Sequence, residues 1–205
     1  MDETENRQSP EPSEAPDKPE PGKNPDGRKA VSDLFDVIEL FVFCAAVILT
    51  VFTFAARPTV VNGRSMEDTL HGGDYLIVTE FGYTPKQNDI VVVQNVSLPH
   101  YSEPLVKRVI AVAGQTIDID FDTWTVTVDG AVLDEPYRKL TEGRRLTSDW
   151  TYPLVIPEGY VFVMGDNRNN SADSRTAEIG PVDVRCIVGR AVMRVFPFSR
   201  LTFFD

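Results

Sequence analysis

Polar and apolar positions divide the chain into three textures. Residues 1–33 run almost without apolar groups and are rich in Pro, Glu, Asp, Lys and Ser, as in SPEPSEAPDKPEPGKNPDG. So little apolar surface cannot offset the entropy of ordering, so residues 1–36 are expected to form a disordered tail. Residues 37–56, VIELFVFCAAVILTVFTFAA, are apolar on every side. At helical rise this run covers about 30 Å, the thickness of a bilayer's hydrocarbon core. Its one charge, Glu39, lies a turn from the start, within reach of headgroups or water. The sharp polar flanks argue against a buried helix of a soluble domain. The length of the run and its distance from Met1 argue against a cleaved leader. The expectation is a single signal anchor.

From Pro58 the texture changes to β. Apolar, β-branched runs recur as PTVVN, DYLIVTE, DIVVVQN, LVKRVIAVAG, TIDID, WTVTVDGAVL, YVFVMG and CIVGRAVMRVF, with polar turns between them. Asp129-Gly130 between WTVTV and AVL predicts a tight hairpin. No long amphipathic helical pattern follows the anchor. Residues 57–205 are therefore expected to form one mainly β domain of antiparallel sheet.

Charge narrows the partners. The formal net charge is -11, which disfavours nucleic acid as a ligand. Acid is spread over both ends: residues 1–36 hold 10 Asp/Glu against 5 Lys/Arg, and residues 57–205 hold 20 against 15. Lys23, Arg28 and Lys29 precede the apolar run, and Arg57 and Arg64 follow it, a weak bias toward a cytoplasmic N-terminus. Cys44 lies in the apolar run and Cys186 far off in the β part, so no intrachain disulfide is expected. His71 and His100 do not make a metal site, no CxxC or HExxH spacing occurs, and no cofactor is expected.

Three patches remain as candidate chemistry: GRSMEDTL (63–70), LVKRVIAVAG (105–114) and GDNRNNSADSR (165–175). Taken singly, each has an ordinary reading: Ser65 as a turn or cap residue, Lys107 as an edge-strand lysine, the Asn-rich string as a plain turn. In this order behind an N-terminal anchor, the three patches resemble type I signal peptidases, and the resemblance runs over most of residues 57–197. It implies an antiparallel signal-peptidase β fold and a membrane-bound serine endopeptidase of the compact form. Such an enzyme removes signal peptides from exported preproteins on the outer face of the membrane. It implies Ser65 as nucleophile and Lys107 as general base, with Ser171 holding the lysine amine. Asp173 and Arg175 would be an ion pair stiffening the site, and Asp166 and Asn167 the start of the supporting loop. Gly63 and Met66 are expected beside the substrate, and PTVVN (58–62) along its extended backbone.

The base needs a particular environment. A lysine with its ordinary pKa near 10.4 is charged at neutral pH and cannot accept a proton. Apolar neighbours Leu105, Val106, Val109 and Ile110, and the charge of Arg108, would both lower it. Strand alternation puts Lys107 and Arg108 on opposite faces. One residue departs from the resemblance: Asp68 stands where the pattern SMxPTL has proline, and its carboxylate is expected to satisfy N–H groups of the turn. Two rivals follow. A Ser/Lys autoprotease of the repressor type would need a regulatory domain instead of an acidic tail and anchor. A non-catalytic anchored homologue that binds preproteins or a secretion partner draws support only from Asp68.

Overall fold

The computed structural model describes residues 25–54, 56–94, 103–144 and 147–204, so most of the expected tail lies outside the described residues. The chain divides into two units, Met1–Ala46 and Val47–Asp205. Helix α1 spans Pro25–Phe54. It takes in the last part of the expected tail and most of the apolar run. Along it Phe35, Phe41, Phe43 and Leu49 are exposed. The expected span 37–56 includes residues 51 and 53–55, whose side chains lie outside the described set. Among the described residues no helix is long and apolar enough to cross a membrane.

The second unit is antiparallel β throughout its named strands. In chain order they are β1 (Arg57–Val60), β2 (Tyr75–Thr79), β3 (Ile90–Val93), β4 (Leu105–Val112), β5 (Thr116–Asp120) and β6 (Thr125–Val128). Then come β7 (Ala131–Val132), β8 (Leu154–Val155), β9 (Tyr160–Met164), β10 (Val182–Asp183), β11 (Ile187–Phe196) and β12 (Thr202–Phe203). The larger sheet has the order β1-β2-β11-β3-β4-β9-β10, with β12 on β11, and the smaller has β7-β6-β5-β8. The Asp129-Gly130 hairpin forms as predicted: Val128 pairs with Ala131, and both turn residues take positive φ, 51° and 80°.

Alternation along the strands explains how both faces of the larger sheet are covered. Ile90 and Val92 of β3 pack with Val106, Met66 and Leu70 on one face. Val91 and Val93 pack with Val109, Val161 and Val163 on the other. A third cluster joins Ile110 and Phe162 to the inner side of the smaller sheet through Ile117, Ile119, Val126 and Val128. Strand β4 takes part in all three, so nearly its whole length is buried. A polar side chain on β4 must therefore find its partners inside the protein.

Strand β11 crosses the sheet between β2 and β3 and shifts register against both. Gly189 makes that crossing possible. Its φ is +154°, and a Cβ there would stand 2.5 Å from the Thr79 carbonyl oxygen. Backbone, not a flexible side chain, occupies the space. Gly189→Ala should therefore destabilise the domain by roughly 1–3 kcal/mol, read as a lowered midpoint in thermal unfolding; an unchanged midpoint would mean that the crossing relaxes freely.

Candidate active site

The register of the central strands brings the candidate residues together. In β4, Lys107 pairs with Val91 of β3, and Arg108 pairs with both Ile90 of β3 and Met164 at the end of β9. Chain leaving β9 at Gly165 thus starts beside Lys107. It runs through Asp166 to Arg175 and returns along β9, where Ser174 N–H donates to Val163 O at 3.1 Å and Ser174 Oγ accepts from Val163 N–H at 3.0 Å. The turn carrying Ser65 is tied to the same loop. Asn167 N–H donates to Ser65 O at 3.0 Å, and Asn167 Nδ2 to Arg64 O at 3.1 Å.

Lys107 Nζ lies 2.8 Å from Ser65 Oγ and donates to Val106 O at 3.2 Å. The side chain is 3% exposed. Loss of hydration pushes its pKa down to about 8; Asp173 and Asp166 act against that, and Arg175 assists it. The assisting positive charge is thus Arg175 rather than the chain neighbour Arg108 named from the sequence. Arg108 leaves on the opposite face of the strand, as alternation requires. There Asp166 takes both its Nε (2.9 Å) and Nη2 (2.7 Å).

The supporting loop is held by buried charge. Asp173 is fully buried, which works against its ionisation, but the Arg175 guanidinium and the Gly165 N–H outweigh burial and hold its carboxyl below the usual range. Arg175 donates to it through Nε and Nη2, both at 2.8 Å. Ser171 is buried beside them. Its Oγ favours the Asp173 charge, yet among the described residues it meets no partner in hydrogen-bond geometry, Lys107 included. Gly165 is required where these pieces meet, because a Cβ on it would stand 2.4 Å from both Ser171 Oγ and Ser65 O.

Gly63 and Met66 differ in accessibility. Gly63 has φ +82° and open space where a Cβ would be, as a residue facing a ligand's backbone requires. Met66 is 1% exposed and packs inward with Val61, Leu70 and Leu76. Asp68 does not cap turn N–H groups as expected. Its carboxylate is taken by Lys139 Nζ at 2.6 Å, which also lies 3.6 Å from Glu67. The Glu67–Asp68 peptide is cis.

Several supporting residues escaped the sequence analysis. Thr69 Oγ1 donates to Asp166 Oδ2 at 2.6 Å. Arg168 is fully buried and paired with Glu135. Tyr137 lies under Arg108, its ring centroid 3.9 Å from the guanidinium carbon. Lys139 N–H donates to Asp166 O, and its carbonyl accepts from Arg168 N–H. Glu135, Tyr137 and Lys139 come from a segment with no motif, and only an unusual density of charge in a β domain could have pointed to it.

Comparison with known proteins gives the family. The family model described as signal peptidase, peptidase S26, matches residues 34–196. Signal peptidase I of Bacillus licheniformis is 34% identical over 183 residues, covering 83% of this chain and 92% of its own. That of Mycobacterium tuberculosis strain H37Rv is 32% identical over 237 residues, covering 90% and 77%. A solved signal peptidase I from Enterococcus faecalis V583 is 29% identical, covers 53% of this chain and 97% of its own, and gives a TM-score of 0.42. The class is that of serine endopeptidases, hydrolases of the peptide bond. Within it, the chain belongs to the signal peptidase family, peptidase S26, as a type I signal peptidase whose work is signal peptide removal.

Burying Lys107 has a measurable cost with a definite sign. Its pKa is about 8 in the fold against roughly 10.4 when unfolded. Between those values the unfolded chain binds more protons, so stability rises with pH. Below about pH 8 both states are protonated, and the fold bears the full penalty, on the order of 3 kcal/mol. Lys107→Met removes the charge and keeps the stem. It should be more stable than the parent at pH 7, and the advantage should shrink as pH rises above 8. Thermal midpoints of the two proteins across that range check it; a pH-independent difference would contradict the buried-charge account.

Proposed function

We propose that Ser65 and Lys107 form the catalytic pair of this signal peptidase, on a domain anchored by the apolar part of α1. The observation that carries the reading is the 2.8 Å approach of a fully desolvated lysine amine to the Ser65 hydroxyl. A serine needs a base within hydrogen-bond reach, and an amine that titrates near 8 is largely available at mildly alkaline pH.

The steps follow from the atoms present. Ser65 Oγ attacks the scissile carbonyl while neutral Lys107 takes its proton. The carbonyl oxygen becomes an oxyanion facing the Ser65 N–H, which has no acceptor among the described residues. Lys107 then gives its proton to the leaving amine, and the new N-terminus of the mature protein departs. The acyl group remains as an ester on Ser65. A water gives a proton to Lys107 as it attacks that ester, and the proton returns to Ser65 Oγ as the signal peptide's carboxylate leaves. Asp173 and Arg175 hold the loop without reacting, paired with each other through Arg175 Nε and Nη2. Asp166 and Asn167 hold the base's strand and the nucleophile turn.

The exported preprotein would enter as an extended strand along β1. That strand pairs with β2 on one side and ends the order of the larger sheet, so its free edge offers backbone groups for strand addition. Support for anchoring is the apolar run of residues 37–56 and the exposed phenylalanines along α1. The proposed topology is a cytoplasmic N-terminus and an extracytoplasmic catalytic domain.

Two experiments test this reading. Only neutral Lys107 works as a base, so kcat/KM for a preprotein peptide should rise with pH through about 8. Lys107→Arg should be nearly inactive, because guanidinium keeps its proton, and Ser65→Ala should be inactive as well. A Lys107→Arg enzyme that keeps most of its activity, or a rate falling from neutral to alkaline pH, would remove Lys107 from the mechanism. For topology, protease added outside intact cells should digest the C-terminal domain and spare an N-terminal tag. Loss of the tag with a protected domain would reverse the orientation.

A further inference from the structure

A second charged network closes on the nucleophile turn, and no step of the cleavage uses it. Its centre is Asp74, fully buried just before β2. Oδ2 of Asp74 accepts from Arg194 Nη1 at 3.2 Å and from the His71 N–H at 3.0 Å, and Oδ1 accepts from Arg200 Nη2 at 2.9 Å. The same Arg194 Nη1 donates to Thr69 O at 2.8 Å, while Arg194 Nε donates to Arg200 O at 2.6 Å. Arg200 Nη1 lies 2.6 Å from His71 Nδ1. A guanidinium has no acceptor, so His71 Nδ1 is the accepting side of this contact.

We propose that Arg194 and Arg200 are positioning residues for the cleavage reaction. Arg194 of β11 holds the Ser65–Leu70 turn at Thr69, and Arg200, in the turn after β11, holds the turn's continuation at His71 and Asp74. The proposal rests on the reading of Ser65 as nucleophile. Thr69 carries the argument because it is held twice. Its carbonyl is fixed by Arg194, and its hydroxyl by Asp166, the partner of Arg108. Leu70 N–H closes the turn onto Met66 O at 2.8 Å, one residue from Ser65. Thr69 therefore joins three parts of the chain: the nucleophile turn, the loop after β9 whose Asp166 clamps Arg108, and strand β11 through Arg194. Displacing it moves Ser65 Oγ relative to Lys107 Nζ, where an error of about 1 Å costs on the order of a hundredfold in rate.

Arg200 is the informative residue to remove. It sits in a short turn at residues 198–200 with its side chain 39% exposed, whereas Arg194 is buried beside Asp74. Without Arg200, Asp74 keeps a guanidinium partner and the fold has no stranded charge.

The test compares the full-length chain in detergent as parent, Arg200→Ala, Ser65→Ala and a control, Ile117→Val, which trims the core of the smaller sheet. Arg200→Ala should lower kcat for a preprotein peptide by at least roughly tenfold, with KM changed less than about twofold. Guanidinium ion at millimolar, non-denaturing concentration should restore much of the lost kcat in Arg200→Ala and do nothing for the parent. Ile117→Val should lower the thermal midpoint without lowering kcat. A parent-like kcat in Arg200→Ala, or a loss of kcat that merely tracks the thermal midpoint as in the control and is not rescued, would overturn the proposal. Cleavage by Ser65→Ala would instead overturn the nucleophile assignment beneath it.

Discussion

The site depends on one constraint, the removal of water from the amine of Lys107. Strand β4 lies between β3 and β9 and is buried along almost its whole length, so a lysine in its middle keeps its head almost wholly out of water. That position takes away the hydration that keeps an ordinary lysine charged. It also sets conditions on everything nearby. A free carboxylate beside the amine would restore the charge. Asp173 does pull in that direction, and Arg175 limits the effect by taking the carboxylate itself. The ion pair is therefore more than a brace, since its net neutrality lets the amine stay basic without staying protonated.

The other parts solve a problem of aim. A long side chain in a tight interior can be placed accurately only if the groups around it are also fixed. The loop after β9 meets the nucleophile turn through Asn167, and Gly165 leaves no room for a side chain between Ser65 and Ser171. On the opposite face of β4, Arg108 is clamped by Asp166 and covered by Tyr137. Buried pairs of this kind add little net stability against a well-packed apolar core. What they contribute here is direction, because each fixes a backbone segment that carries a member of the proposed catalytic pair or its support.

Much of this was legible in the sequence and some was not, for identifiable reasons. Apolar, β-branched runs marked most of the longer strands, and Asp129-Gly130 marked the hairpin, because those signals are local. Ser65, Lys107 and the loop from Gly165 to Arg175 stood out through the order of three motifs. Alternation correctly separated Lys107 from Arg108. The two-residue strands β8, β10 and β12 carry too few positions for a pattern. The partition into two sheets depends on pairings between distant segments. Arg175 as the charge acting on Lys107, Lys139 on Asp68, and Glu135 on Arg168 are contacts across 30 residues or more; nothing in the local sequence chooses among the candidate partners.

The claim at the centre is that Lys107 gives up its proton near pH 8 in the resting protein, before any substrate binds. The direct measurement is a titration by NMR of the full chain carrying lysine labelled at Cε, with the Lys107 signal assigned by its disappearance in Lys107→Met. The Lys107 signal should move with a midpoint at about 8, well below the ordinary lysine value near 10.4. A Lys107 signal that moves only near that ordinary value would mean that the amine is charged at working pH and cannot serve as the base.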